Sequence, residues 1–200
     1  CSRVYAHKKI AGALLEKILA KAKALKLGDV TQKDVTFGPV INAASVKKFK
    51  SAVAAAKKDG TVLLGGHELK GGIFDKGFYL EPTVVKAPLS SKLFVTEYFA
   101  PFLAVAEVDG LDQAIAETNK APFGLTSGIF SAKSTEIEAF FDRVEAGLSY
   151  ANKRSGATTG AWPGAQAFCG WKASGSTGKG GCGPYYVQQF LREQCRTIIH

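Results

Sequence analysis

The run Phe102-Leu103-Ala104-Val105-Ala106-Glu107-Val108, then Asp109-Gly110, then Leu111 to Asn119, decides the fold class. The mostly apolar run reads as a strand and Asp109-Gly110 as its end. The following segment reads as a short helix that stops before Pro122, because the residue preceding a proline is driven from the helical region. The same change of period recurs on both sides. Downstream, Thr126 to Ser131 reads as a strand, and Thr135 opens a helix with Glu138 three residues on, in the capping-box pattern. Ile137, Phe140, Phe141 and Val144 are its expected core face, Gly147 its end, and Leu148 to Ala151 a further strand. Upstream, Thr61 to Leu64 and Phe78 to Val85 read as strands, with Pro82 placing the second at a sheet edge or an interruption. Two amphipathic helices precede them. Lys8 to Leu27 carries Ile10, Leu14, Leu15, Ile18, Leu19, Ala22 and Leu25 at helical spacing, with Gly28 as a stop. Ala43 to about Lys58 carries Val46, Phe49, Val53 and Ala56, with Lys57 and Lys58 at the negative end of the helix dipole. Strands alternating with helices predict an α/β fold, a largely parallel sheet with flanking helices.

Composition narrows the class. The 200 residues suit one domain of ordinary size, and 46% apolar content with a mean hydropathy of +0.02 fits a soluble globular protein. No apolar run approaches the roughly 20 residues of a spanning helix. The N-terminus lacks the order of a secretory signal. The net charge of +9 comes largely from lysines spread along the helices. That spread reads as solvated helix faces, and with no zinc-finger spacing and no RNP-like aromatic block it argues against nucleic-acid binding. An anionic substrate or cofactor suits the charge better. Cys1, Cys169, Cys182 and Cys195 form no C-x-x-C pair, which argues against a metal site and for reduced thiols in the cytoplasm or the mitochondrial matrix. The absence of methionine together with the Cys1 start leads us to expect a fragment or a processed chain.

Beyond Ala151 the chain changes character. Arg154 to Gly183 is rich in Gly, Ser, Thr and Lys, with Trp162 and Trp171 embedded, and a long stretch of that kind inside a compact domain is usually functional or disordered. Tyr185 to Leu191 reads as a short helix and Arg196 to Ile199 as a terminal strand. We expect no internal repeat and no domain linker. Gly175 to Gly180 resembles a phosphate loop only superficially. Position 173 is alanine and Lys179 is followed by Gly180, so the P-loop spacing fails. His7, His67 and His200 are scattered and read as surface residues.

Three short segments have chemical potential. In Thr96-Glu97-Tyr98-Phe99-Ala100-Pro101-Phe102, Glu97 reads first as a solvent-facing glutamate at the start of a strand. Alternatively, its apolar neighbours hold a carboxylate that accepts hydrogen bonds from a sugar diol. Ser155 to Gly160 is either a flexible surface turn or a loop whose backbone N–H groups converge on an anion. Phe168, in Gln166-Ala167-Phe168-Cys169-Gly170-Trp171-Lys172-Ala173-Ser174-Gly175, is either a core residue beside a glycine turn or the aromatic wall of a tunnel.

Together these segments resemble the C-terminal part of the aldehyde dehydrogenases, most closely the branch that oxidises glutamate semialdehyde, the 1-pyrroline-5-carboxylate dehydrogenases. The resemblance covers nearly the whole chain. It implies the family's catalytic-domain fold over residues 1–191 and, over 192–200, a strand of the oligomerisation region. It assigns Glu97 and Phe99 to the nicotinamide ribose of NAD or NADP, whose main binding domain would lie upstream. It assigns Gly156 and Ala157 to the substrate carboxylate, and Phe168 to the substrate tunnel. Cys1-Ser2-Arg3 aligns with the second half of the family's nucleophile motif, so the attacking cysteine is expected three residues upstream of Cys1. That cysteine would form a thiohemiacetal, hydride would pass to the dinucleotide, and water activated by an upstream glutamate would release the acid. No metal is implied. The partners implied are a small aldehyde bearing a carboxylate and further copies of the chain, with neither nucleic acid nor membrane. Departures are Ala100, Ala167 and Cys169 for Gly, Pro and Gly of the family pattern, and Ser155 for its threonine. If the glycine replaced by Cys169 needs positive φ, the substitution strains the loop by about 1 kcal/mol or more. Two rival readings remain. One is a catalytically dead binding or oligomerisation module, and the other a dehydrogenase of a different acid semialdehyde.

Overall fold

In the computed structural model, which describes residues 1–154, 162, 164–176 and 179–200, the chain forms two units, Cys1–Glu117 and Thr118–His200. The first contains β1 (Arg3–His7), α1 (Ala11–Lys23), α2 (Ala43–Asp59), β2 (Thr61–Leu64), β3 (Thr83–Lys86) and β4 (Phe102–Val108), and the boundary falls inside α3 (Leu111–Asn119). The strands make one sheet in the order β1-β4-β3-β2. β4 pairs in parallel with both β1 and β3, while β2 adds antiparallel at the edge. The apolar run that decided the fold class is therefore an interior strand.

α2 supplies the core against this sheet. Asn42 caps it, its Oδ1 accepting from the Ser45 N–H at 2.9 Å, which satisfies one of the unpaired donors of the first turn. Every residue of its expected stripe, Val46, Phe49, Val53 and Ala56, is buried, together with Val85, Leu93, Phe94, Phe102, Ala104 and Ala106. Phe49 meets Phe102 edge-on at 6.4 Å. Full burial of one such large apolar side chain stabilises by roughly 1.5–3 kcal/mol, so this face fixes where the strands end.

The second unit contains β5 (Phe123–Gly124), β6 (Thr126–Ile129), α4 (Ser134–Arg143), β7 (Leu148–Ala151) and β8 (Trp171–Lys172). β6 and β7 pair in parallel, and β5 pairs antiparallel with β8.

Several expected boundaries change. The strand expected over Phe78–Val85 begins only after Pro82, whose ring nitrogen has no hydrogen to give the ladder. Phe78 and Leu80 instead make single bridges to Val40 and Glu68. α1 is shorter than Lys8–Leu27, since the chain turns at Lys8–Ile10 as it leaves β1. The Thr135–Glu138 capping box does not form. Lys133 is the N-cap of α4, and Ser131 Oγ there accepts from the Lys133 N–H and donates to Glu136 at 2.5 Å. Phe140 and Val144 are buried as expected, but Phe141 is 45% exposed. Tyr185–Leu191 reduces to a 3-10 turn at Val187–Phe190. Arg196–Ile199 belongs to no strand, and it finds no partner strand among the described residues.

Candidate functional site

The segment carrying Glu97 and Phe99 is held at both ends. At its start the 3-10 turn Lys92–Phe94 buries Leu93 and Phe94, and Arg3 donates from its guanidinium to the Phe94 carbonyl at 2.8 Å. Tyr5 lies against the Phe94 ring, 5.5 Å between centroids. At its end Phe102 enters β4, and the Thr83 N–H donates to the Pro101 carbonyl at 2.8 Å. Between these anchors Tyr98 turns inward, its ring 5.5 Å from that of Phe102. Burial pushes the Tyr98 phenol above its ordinary pKa, and burial does the same to Tyr5.

With Tyr98 pinned, its two neighbours face out. Glu97 is exposed, and its carboxylate has no hydrogen-bond or ion-pair partner among the described residues. Lys48 Nζ lies 3.4 Å from the Glu97 carbonyl oxygen. Phe99 is 79% exposed at φ 52, in the left-handed region that non-glycine residues rarely occupy. An outward aromatic in a strained backbone beside an outward carboxylate has no role in the core, and such outliers concentrate at ligand-binding positions. The carboxylate of such a pair offers acceptors only and the ring a flat apolar face. The positive φ falls on Phe99 rather than on Ala100, so alanine in place of the family's glycine meets no conformational barrier there.

Phe168 lies in the second unit. Its N–H donates to the Gly181 carbonyl at 2.8 Å and its own carbonyl accepts from the Gly181 N–H at 3.2 Å, a single antiparallel bridge that leaves the ring 40% exposed. Phe168 is therefore not a core residue of this chain. Cys169 does not adopt positive φ, so the strain expected for it is absent. Two residues further the chain folds on itself so tightly that a Cβ on Gly170 would collide with the Ser174 carbonyl, and one on Gly175 with the Gly170 carbonyl. Beyond the turn, Ser174 Oγ accepts from the Gly124 N–H at 3.1 Å. Glu145, Gly170, Trp171, Lys172, Gly175 and Ser176 line a cleft of about 440 Å³ on this side of the unit.

The structure thus brings Glu97 and Phe99 together and places Phe168 on a separate, braced loop. Gly156 and Ala157 lie outside the described residues. Three contributors were missed from sequence: Tyr98 as the pivot, Arg3 as the tie to Phe94, and Lys172 within its loop. The alternation of Tyr98 between Glu97 and Phe99 was a usable signal for the first, whereas nothing local marks the other two. Among the described residues no group of acidic, His or Cys side chains is placed to hold a metal ion. The four cysteines are free. His7 Nδ1 accepts from the Lys9 N–H at 3.1 Å, a local turn contact.

Comparison with known proteins shows the family of the chain. The family model described as Aldehyde dehydrogenase family matches residues 1–195. 1-Pyrroline-5-carboxylate dehydrogenase 1 of Halalkalibacterium halodurans is 33% identical over 199 residues, 98% of this chain and 36% of that protein. A solved structure of 1-pyrroline-5-carboxylate dehydrogenase from Thermus with bound NAD matches with a TM-score of 0.86 at 31% identity, over 96% of this chain and 36% of that one. 3,6-Anhydro-L-galactose dehydrogenase in complex with NAP matches with a TM-score of 0.86 at 30% identity, over 96% of this chain and 39% of that one. The chain spans about a third of the length of the curated relatives it matches, 36% in each of the first two.

Proposed function

The chain belongs to the aldehyde dehydrogenase family, and we propose that it is the ribose-gripping and substrate-loop portion of an NAD(P)-dependent enzyme that oxidises L-glutamate 5-semialdehyde to glutamate in proline breakdown. The observation that carries this reading is the outward Glu97–Phe99 pair fixed by the half-buried Tyr98. The names of the relatives support the substrate. When bound, the dinucleotide supplies the hydride acceptor. Glu97 accepts hydrogen bonds from the ribose hydroxyls, and Phe99 packs on the apolar side of the sugar and limits its rotation. Charge-assisted bonds of this kind are roughly twice as strong as neutral ones and also fix orientation. Phe168 walls the aldehyde site, and the backbone N–H groups of Gly156 and Ala157 anchor the far carboxylate.

We assign residues 1–191 to the catalytic domain and 192–200 to an association segment that pairs with a second copy. Ile199 is 92% exposed, and this segment has no strand partner among the described residues, so an added β-strand from a neighbour would cover both deficits. No helix among the described residues is long and apolar enough to cross a membrane. The compartment we propose is the cytoplasm or the mitochondrial matrix.

The test is NADH formation by the protein expressed from its complete gene, with glutamate semialdehyde and with its shorter and longer homologues. Turnover should be highest with glutamate semialdehyde, and Glu97→Gln should raise KM for the dinucleotide about tenfold or more, the usual loss for a charged hydrogen bond. Equal turnover on all three aldehydes would remove the substrate assignment. An unchanged cofactor KM would remove the role of Glu97.

A further inference from the structure

We propose that Lys172 is the positioning residue of the Phe168–Gly175 loop, and that it acts through its ammonium group rather than through its backbone. An ammonium has three donors and no acceptor. Here all three are engaged: Lys172 Nζ lies 2.5 Å from Glu145 Oε2, 2.5 Å from the Asn119 carbonyl oxygen and 3.2 Å from that of Ala121. The acceptors are themselves tied together. Asn119 Oδ1 accepts from the Glu145 N–H at 2.9 Å, and Asn119 Nδ2 donates to the Arg143 carbonyl at 2.8 Å. The end of α3, the chain leaving α4 and the loop on β8 thus meet at one charge.

The loop backbone leans on the same place. Lys172 pairs with Phe123, the Ala173 N–H donates to the Pro122 carbonyl at 3.0 Å, and Gly124 donates to Ser174. Lys172 stands at φ 53, where a lysine is disfavoured and a glycine would be at ease. A position chosen for its backbone alone would carry glycine. Lysine adds the ammonium, and its side chain is only 24% exposed, so its charge depends on the three acceptors. Three residues separate Lys172 from Phe168 within one tightly folded loop, so fixing the first fixes the stance of the second. The consequence for substrate rests on the reading of Phe168 given above, whereas the clamp itself does not.

Amide hydrogen exchange on the protein expressed from its complete gene tests the clamp. In Lys172→Ala and in Lys172→Gly the amides of Gly124, Ala173 and Ser174 should exchange about tenfold faster, a local opening that leaves Thr83 and Ala87 in the other unit protected. Glu145→Gln, which keeps the shape and both carbonyl acceptors, should give about a threefold increase at the same amides. Propylammonium added to Lys172→Ala should restore protection, because it returns the missing cation to its three acceptors. The proposal is overturned if Lys172→Gly protects the loop as well as lysine does, or if propylammonium changes nothing while Thr83 and Ala87 stay protected. If the clamp holds and Phe168→Ala leaves the aldehyde KM unchanged, the substrate role of Phe168 falls and that of Lys172 in the loop stands.

Discussion

The segment Lys92–Phe102 and the loop Phe168–Gly175 each hold an aromatic ring outward, yet they are braced by different forces. The first is a bridge between two points of an apolar core. Leu93 and Phe94 sink at one end and Phe102 at the other, with Tyr98 pinned between. The second has little core beneath it. It is held by a glycine pair whose backbones touch, by Ser174 on Gly124, and by Lys172 on three oxygens. A burial-held segment tolerates any change that keeps volume and apolarity. A loop held by close approach and charge fails at single atoms. Strain at Phe99 is borne by the core on either side of it, whereas strain at Lys172 is borne by polar bonds.

The contrast predicts which substitutions break which region. Phe102→Ala should have the largest effect. It removes a buried ring shared by Phe49 and Tyr98 and should destabilise the first unit by about 3–5 kcal/mol, read in urea unfolding, with little change in the protection of Ala173 and Ser174. If those amides lose protection equally, the two regions do not have separate supports. Gly170→Ala should come next, at about 2–3 kcal/mol, because the new methyl meets the Ser174 carbonyl rather than a side chain that can turn away. Here protection should be lost first in the loop, and a change seen only in global unfolding would contradict that.

Phe99→Gly should separate stability from binding. Glycine relieves the left-handed backbone while freeing the unfolded chain, so stability should shift by less than about 1 kcal/mol, while dinucleotide affinity falls. Unchanged affinity by calorimetry would show that the outward ring has no ligand role. The smallest effect is electrostatic. Hydrogen bonds from Lys50 and then Lys70 hold the Glu68 carboxyl below the usual carboxylate range. A lowered folded pKa means the contribution is present above the unfolded carboxylate value of about 4.3 and is lost as pH falls through the lower folded value. Because both lysines are exposed, the loss should stay well under about 1 kcal/mol, and Glu68→Gln should remove that part of the acid dependence measured by thermal unfolding.

The first region was largely legible in advance. The α2 stripe, β2 and β4, which frame it, lie where hydrophobic periodicity puts them, because each buries a face whose period the side chains must match. The apolar neighbours of Glu97 offered it a second reading beside that of a surface residue, whereas Phe99 was singled out only by the family resemblance. The second region was legible only as a glycine-rich stretch. Nothing in the sequence marked Lys172, since its acceptors, Glu145 and the carbonyls of Asn119 and Ala121, lie far from it in sequence. The capping box at Thr135 also failed. The helix begins at Ser134, ahead of Thr135, with Lys133 as an N-cap that makes no side-chain cap bond, and Ser131 bonds Glu136.

The sequence by itself determined the α/β class, the strand at Phe102–Val108 and the buried stripe of α2, because period and burial are local properties. Only the tertiary structure decided that Phe99 rather than Ala100 takes the left-handed backbone, that Cys169 sits unstrained, and that Lys172 gathers three distant oxygens. Those outcomes depend on which backbones approach one another across the chain, and hydrogen-bond geometry of that kind leaves no period for a sequence to display.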